Sequence, residues 1–254
     1  DTGVLDAGFW DITVDYAKGT ALDFVIEMRV RNAGAQRQTL HVLPTLWFRN
    51  TWAWCINDTM PWLHVDDNSI VADHSVVGRM YLSGDGAHRV YVCDNETNAE
   101  RLWGTPSRTR FPKDGINDHV VHAAPTVNPL QMGTKGALHY MLAVEPGETS
   151  VIRLRFAPHR PVAGDDPTVT LGARHHEADA FYASVLGATL TADERLVARQ
   201  ALGGMLWGKQ FYPYNVTRWL DGDPAEPPPP APRLDGPNDG LRPPQHAAIV
   251  SVTD

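Results

Sequence analysis

The chain has 254 residues, and its 30 acidic against 22 basic side chains leave a formal charge of −8. That balance gives no general support for binding a nucleic-acid backbone or an anionic membrane, and with no apolar run of 18 residues no transmembrane helix is expected. A hydrophobic share of 43% is enough for a sizeable core, while two cysteines, Cys55 and Cys93, are too few for a disulfide scaffold and suit a reducing, cytoplasmic setting.

The opening Asp1-Thr2-Gly3 lacks signal-peptide character, which predicts a mature, trimmed or partial chain. Strand signals then dominate. Leu22, Phe24, Ile26, Met28 and Val30 alternate with Asp23, Glu27, Arg29 and Arg31, a period of two that buries one face of a strand and wets the other. Leu40 to Phe48 reads as a second strand, interrupted by Pro44, which cannot donate to a ladder and so suits an edge or a bulge. Further on, His139–Val144 and Val151–Phe156 flank Glu145-Pro146-Gly147-Glu148, with proline and glycine placed for a type II turn, so an antiparallel hairpin is predicted. Strands with turn punctuation and no helical crossovers favour a sandwich over a parallel sheet.

After Gly172 the period changes. Glu177–Leu186 has helical spacing, and Thr191-Ala192-Asp193-Glu194 is a capping box opening a helix that should run to about Phe211. Gly203-Gly204 within it costs about 1 kcal/mol per glycine unless close packing requires the missing Cβ. Nine prolines between Pro224 and Pro244 then predict an extended or poorly ordered tail. The expected chain is therefore mainly β: an antiparallel sandwich over 1–172, two helices forming a linker over 173–220, and a proline-rich tail over 221–254.

Two regions carry groups suited to chemistry. Leu46 to Trp54 places Trp47, Trp52 and Trp54 around Arg49; aromatic faces can stack on ligands and arginine can grip hydroxyls or carboxylates, although packing in a sandwich core is the plainer reading. Lys113-Asp114-Gly115-Ile116-Asn117-Asp118 holds two carboxylates four residues apart beside a glycine turn and an expected strand start. Paired carboxylates can serve as acid and base in glycoside hydrolysis, but Asp, Asn and Gly also make turns through short side chains that bond nearby backbone. His119 and His122, three apart, would face opposite ways on a strand and make a poor metal pair. His175-His176 has no evident third ligand. The sequence holds no glycine-rich phosphate loop, no Gly-x-Ser-x-Gly elbow and no Cys-x-x-Cys pair. Neither metal nor cofactor is expected.

The segments LHVLPTLWFRNTWAW, CDNETNAERLWG, KDGINDHVVH, VNPLQMGTKGALHYML and LVARQALGGMLWGKQFYPYNVTRWLDGD, with the opening DTGVLDAGFWDITVDYAKG, resemble bacterial glucosidase-like proteins of glycoside hydrolase family 63. These are relatives of mannosyl-oligosaccharide glucosidase and mannosylglycerate hydrolase. The resemblance runs from about Asp1 to Asp223. It implies an N-terminal β-sandwich, a helical linker and a C-terminal (α/α)6 barrel whose Asp acid and Glu base cleave glycosides with inversion. The matching stretch lacks that barrel, so no catalytic residue is assigned within it and the chain alone is expected to be inactive. Arg49, Trp52, Lys113, Asp114, Asn117 and Asp118 are expected to line a sugar cleft where sandwich meets barrel. The partners implied are an oligosaccharide or small glycoside and the barrel itself, with no nucleic acid and no membrane. A stand-alone carbohydrate-binding or protein-interaction module is the alternative, and a decayed reading frame a third.

Overall fold

A computed structural model describes residues 2–54, 59–162, 165–187, 189–214, 216–224, 226–236 and 246–251. Cys55 lies outside them, as do the side chains of Trp54 and Trp207. The chain divides into two compact units, residues 1–52 with 57–174, and 53–56 with 175–254.

The first unit contains β1 (Trp10–Thr20), β2 (Asp23–Asn32), β3 (Gln38–Val42), β4 (Thr45–Trp47), β5 (Trp62–Asp66), β6 (Ser69–His74), β7 (Gly78–Gly84) and β8 (Arg89–Cys93). Helices α1 (Ala99–Trp103) and α2 (Gly115–His122) follow, then β9 (Met132–Gly133), β10 (Lys135–Val144) and β11 (Thr149–Ala157). Two antiparallel sheets result. The larger has the order β1-β2-β11-β7-β6-β5-β9; in the smaller, β10 pairs β8 on one edge and β3 and β4 on the other. Val30, Leu63, Ile70, Leu82, Ile152 and Leu154 of the larger sheet share a core with Val42, Val92, Leu138 and Tyr140 of the smaller. That shared core makes the pair a sandwich. Leu63, Ile70 and Leu138 are fully buried, each contributing about 1.5–3 kcal/mol relative to exposure.

The alternation in β2 has the anticipated effect: Ile26, Met28 and Val30 face the core. Its other face carries ions. Glu27 accepts hydrogen bonds from Arg29 and Arg153, both at 2.7 Å. Burial pushes the Glu27 carboxyl up, but the bonds from Arg153 and Arg29 outweigh it and hold the group below its ordinary value. Val25 on that same face packs with Ala17 and Leu171. Pro44 splits the second predicted strand into β3 and β4, and its carbonyl accepts from the Leu138 amide.

The Pro146-Gly147 hairpin is not present. The turn itself forms, with Gly147 at φ +77° and the Glu148 amide donating to Glu145 O. Yet β10 belongs to the smaller sheet and β11 to the larger, pairing β2 and β7, so the connection is an arch between sheets. Asn32 clamps it. Its amide nitrogen donates to Val144 O at 2.9 Å and Gln36 O at 2.8 Å, and its oxygen accepts from the Gly34 amide at 2.9 Å.

Helix α3 (Pro167–Val185) begins in the first unit and runs into the second, which holds α4 (Ala192–Trp207), β12 (Lys209–Tyr214), α5 (Val216–Asp221) and β13 (His246–Ser251). The start of α3 is ten residues upstream of the predicted one. Asp166 accepts from the Thr168 amide at 2.9 Å, and Pro167 at the first helical position has no amide to satisfy. The capping box opens α4: Glu194 N donates to Thr191 Oγ1, and Thr191 N to Glu194 Oε2. That helix ends at Trp207, short of Phe211, and residues 209–214 pair antiparallel with β13. Beyond the two expected helices α5 adds a third, and within the tail, expected to be extended or poorly ordered, residues His246–Ser251 form a strand. Nor do the described residues show packing that demands the glycine pair: among them a Cβ on Gly203 would meet only Tyr182 Oη at 3.6 Å, and one on Gly204 nothing within 4 Å. Leu202 is half-buried and Leu206 exposed.

Candidate functional site

The outer face of the smaller sheet is built by register. Cys93 lies opposite Lys135, Tyr91 and Thr45 opposite Ala137, Arg89 opposite His139 and His41 opposite Met141, so these side chains share one face. Helix α2 covers part of it, Ile116 packing with Cys93 and Ala137, and Val120 joining them. Residues 115–122 are thus helical where sequence alone indicated a turn and a strand start. Val120 and Val121 favour strands in isolation, but the apolar pair Cys93 and Ala137 rewards a helical face that offers Ile116 and Val120 together. His119 and His122 therefore lie on one side of a helix. His119 Nδ1 bonds Ala124 O at 2.7 Å and His122 is exposed.

Between α2 and the edge of the sheet lies an open cleft of about 570 Å³, lined by His41, Leu43, Thr45, Lys113, Ile116, Asn117, Val120, Val121 and Lys135. Of the six sequence-predicted cleft residues, Lys113 and Asn117 line it. Asp114 and Asp118 do not; both accept from Arg101 Nη1 at 3.0 Å, and Asp114 also accepts from Asn98 Nδ2 at 3.0 Å. Trp52 is tied elsewhere, its indole N–H donating to Glu96 Oε1 at 2.7 Å while Asn50 Nδ2 donates to Glu96 Oε2 at 2.9 Å. Arg49 is exposed on the same loop. Trp47 is 55% exposed, so core packing does not account for that ring. The two sequence regions do meet: the Lys113 amide donates to Glu96 O at 2.9 Å.

Sequence reasoning missed His41, Lys135 and the histidines beside them. His41 Nδ1 and His139 Nε2 are 2.8 Å apart, one donating to the other, and the rings stack at 5.0 Å. His88 and Tyr91 also contact the His139 ring. The available signal was a single histidine in each of two strands, and only the pairing register joins them. His139 is buried and its Nδ1 has no partner among the described residues. Burial, then the charges of His41, His88, Arg89 and His119, hold the imidazole below its ordinary value. The unfolded chain takes up this proton near pH ~6.5 and the native chain resists it, so stability is full above that pH and falls as pH drops toward the folded value. His139→Gln is expected to flatten that slope in urea midpoints taken between about pH 5 and 7.5. An unchanged slope would assign the effect to another group.

Cys93 is a free, fully buried thiol, pushed up to about 12 chiefly by desolvation, and is therefore a packing group and not a nucleophile. Among the described residues no three His, Cys, Asp or Glu side chains converge to hold a metal, and no helix is long and apolar enough to cross a membrane.

No protein-family model matches the chain. It is similar to the uncharacterized protein YMR196W of Saccharomyces cerevisiae, at 26% identity over 287 aligned positions that take in 97% of this chain and 26% of the yeast protein. The chain thus spans about a quarter of that relative's length.

Proposed function

We propose that this chain is the accessory sandwich and linker region of an inverting α-glycosidase related to glycoside hydrolase family 63, acting on α-glucosides or related glycosides, with the acid and base on an (α/α)6 barrel outside this stretch. The observation that carries the reading is the ordered set of motifs from Asp1 to Asp223, which falls on an antiparallel sandwich followed by helices. The relation between Asp114 and Asp118 agrees with an accessory role. Inverting hydrolysis needs one protonated carboxyl and one carboxylate ~6.5–9.5 Å apart across a sugar. In this fold one guanidinium nitrogen contacts both groups at 3.0 Å, and they do not line the cleft. The buried free thiol of Cys93 suits a cytoplasmic setting.

A stand-alone carbohydrate-binding module is favoured by one feature, the exposed Trp47 ring on β4, which is free to stack on a sugar. Two assays separate the readings. The purified chain is expected to turn over no α-glucoside, α-mannoside, glucosylglycerate or mannosylglycerate, whereas the longer yeast relative is expected to hydrolyse an α-glucoside and release the inverted anomer by NMR. Turnover by the chain that vanishes in both Asp114→Asn and Asp118→Asn would overturn the accessory role. Sugar binding by the chain that is lost in Trp47→Ala, with no activity in the relative, would favour the module.

A further inference from the structure

We propose that the cleft between α2 and the β3–β4 edge binds a small organic anion, its charged end held by Lys113, Lys135 and His41 and its hydrocarbon body lying along Leu43, Ile116, Val120 and Val121. This goes beyond the accessory role and does not depend on it.

The volume, about 570 Å³, lies within the range of small-molecule sites. The lining also reverses the character of the chain. Overall charge is −8, yet the cleft is lined by two lysines and a histidine, with no carboxylate. The two acids of the same motif, Asp114 and Asp118, bond Arg101 instead, and Asp118 also accepts from Asn117 Nδ2 at 3.3 Å. Both ammonium groups instead donate to neutral oxygens, Lys135 to Lys113 O at 2.6 Å and Lys113 to Thr97 Oγ1 at 3.1 Å. Neither meets a carboxylate among the described residues. Each ammonium has three donors, so two per lysine remain for a ligand. Two like charges brought to one concave surface without a counterion focus a positive potential there.

The rest of the lining selects against a neutral sugar. Four aliphatic side chains form it and no Phe, Tyr or Trp side chain does; Trp47, opposite Lys135 in the register, and Trp52 are not among its lining. A flat or extended hydrocarbon would be desolvated by those aliphatic groups, while Thr45 and Asn117 supply hydrogen bonds at the rim. Lysine offers a compact point charge and no planar fork, so the site tolerates either a phosphate or a carboxylate as the anionic end.

Calorimetric titration of the whole chain tests this with four probes: phenyl phosphate, benzoate, benzyl alcohol and inorganic phosphate. Phenyl phosphate or benzoate is expected to bind more tightly than benzyl alcohol and inorganic phosphate, and the stronger of the two names the anionic group. Lys113→Met and Lys135→Met keep most of the side-chain stem, and each is expected to weaken that binding about fivefold, the scale of a partly exposed charge contact. Arg108→Met, on an exposed residue outside the lining, is expected to leave it unchanged. The proposal is overturned if benzyl alcohol binds as well as the anions, if neither lysine substitution matters while urea midpoints are retained, or if Arg108→Met weakens binding equally.

Discussion

Replacing Asn32 by alanine is expected to lower stability by about 3 kcal/mol, since a buried polar group left unpaired costs ~1–3 kcal/mol and more than one is orphaned by this change. Asn32 is 1% exposed. Its side chain is the partner of Val144 O, Gln36 O and the Gly34 amide, and its backbone donates to Glu148 O and accepts from the Gly147 amide. One residue therefore joins the end of β2 to the turn that carries the chain from one sheet to the other. The loss would be read from urea unfolding of the whole chain. Asn32→Asp separates donor from acceptor roles: it keeps the oxygen facing Gly34 but removes the donor that serves both carbonyls, and it buries a charge beside them. It should be at least as damaging as alanine. A loss below about 1 kcal/mol for the aspartate, less than one orphaned buried group costs, would mean that the arch is held by its backbone bonds alone.

That arch also shows where sequence reading stops. Glu145 to Glu148 specifies its turn locally, through a proline that presets φ and a glycine free to take a positive one, and the turn forms as expected. Whether the next strand folds back on β10 or crosses to the other sheet is not encoded in those four residues. It is decided by whether β2 and β7 offer better partners for β11, a matter of residues far away in the chain. Strand existence was legible for the same reason: the alternation of Ile26, Met28 and Val30 depends only on period two. Pro44 was legible because a missing amide has one consequence wherever it falls.

The cleft divides the same way. Lys113 and Asn117 were visible as a polar turn-like motif. Asp114 and Asp118, in that same motif, are drawn to Arg101 on another helix, a contact that spacing cannot reveal. His41 and Lys135 come from β3 and β10, and only the antiparallel register of the smaller sheet brings them to one surface. Helix α2 was misread because Val120 and Val121 carry strand propensity, which the tertiary surface of Cys93 and Ala137 overrides.

Gly115→Ala is the substitution expected to damage the cleft most. Gly115 opens α2, its amide donating to Pro112 O at 2.8 Å and its carbonyl accepting from Thr126 Oγ1 at 2.6 Å. The Thr126 bond holds the helix start against the 124–127 segment. A Cβ on Gly115 would stand 2.2 Å from Thr126 O and 3.2 Å from Thr126 C. The obstacle is backbone, so no rotamer change relieves it and one segment must move. Overpacking of this kind costs typically ~1–3 kcal/mol. Movement of α2 would also carry Ile116, Asn117, Val120 and Val121 away from the sheet edge, so Gly115→Ala is expected to lose both stability and anion binding. The control is Thr126→Ala in the alanine background. It deletes the hydroxyl bond to Gly115 O but leaves the colliding carbonyl in place, so it should restore neither property. Recovery of stability or of phenyl phosphate binding in the double variant would place the conflict at the threonine side chain, and backbone crowding would no longer explain the glycine at the head of α2.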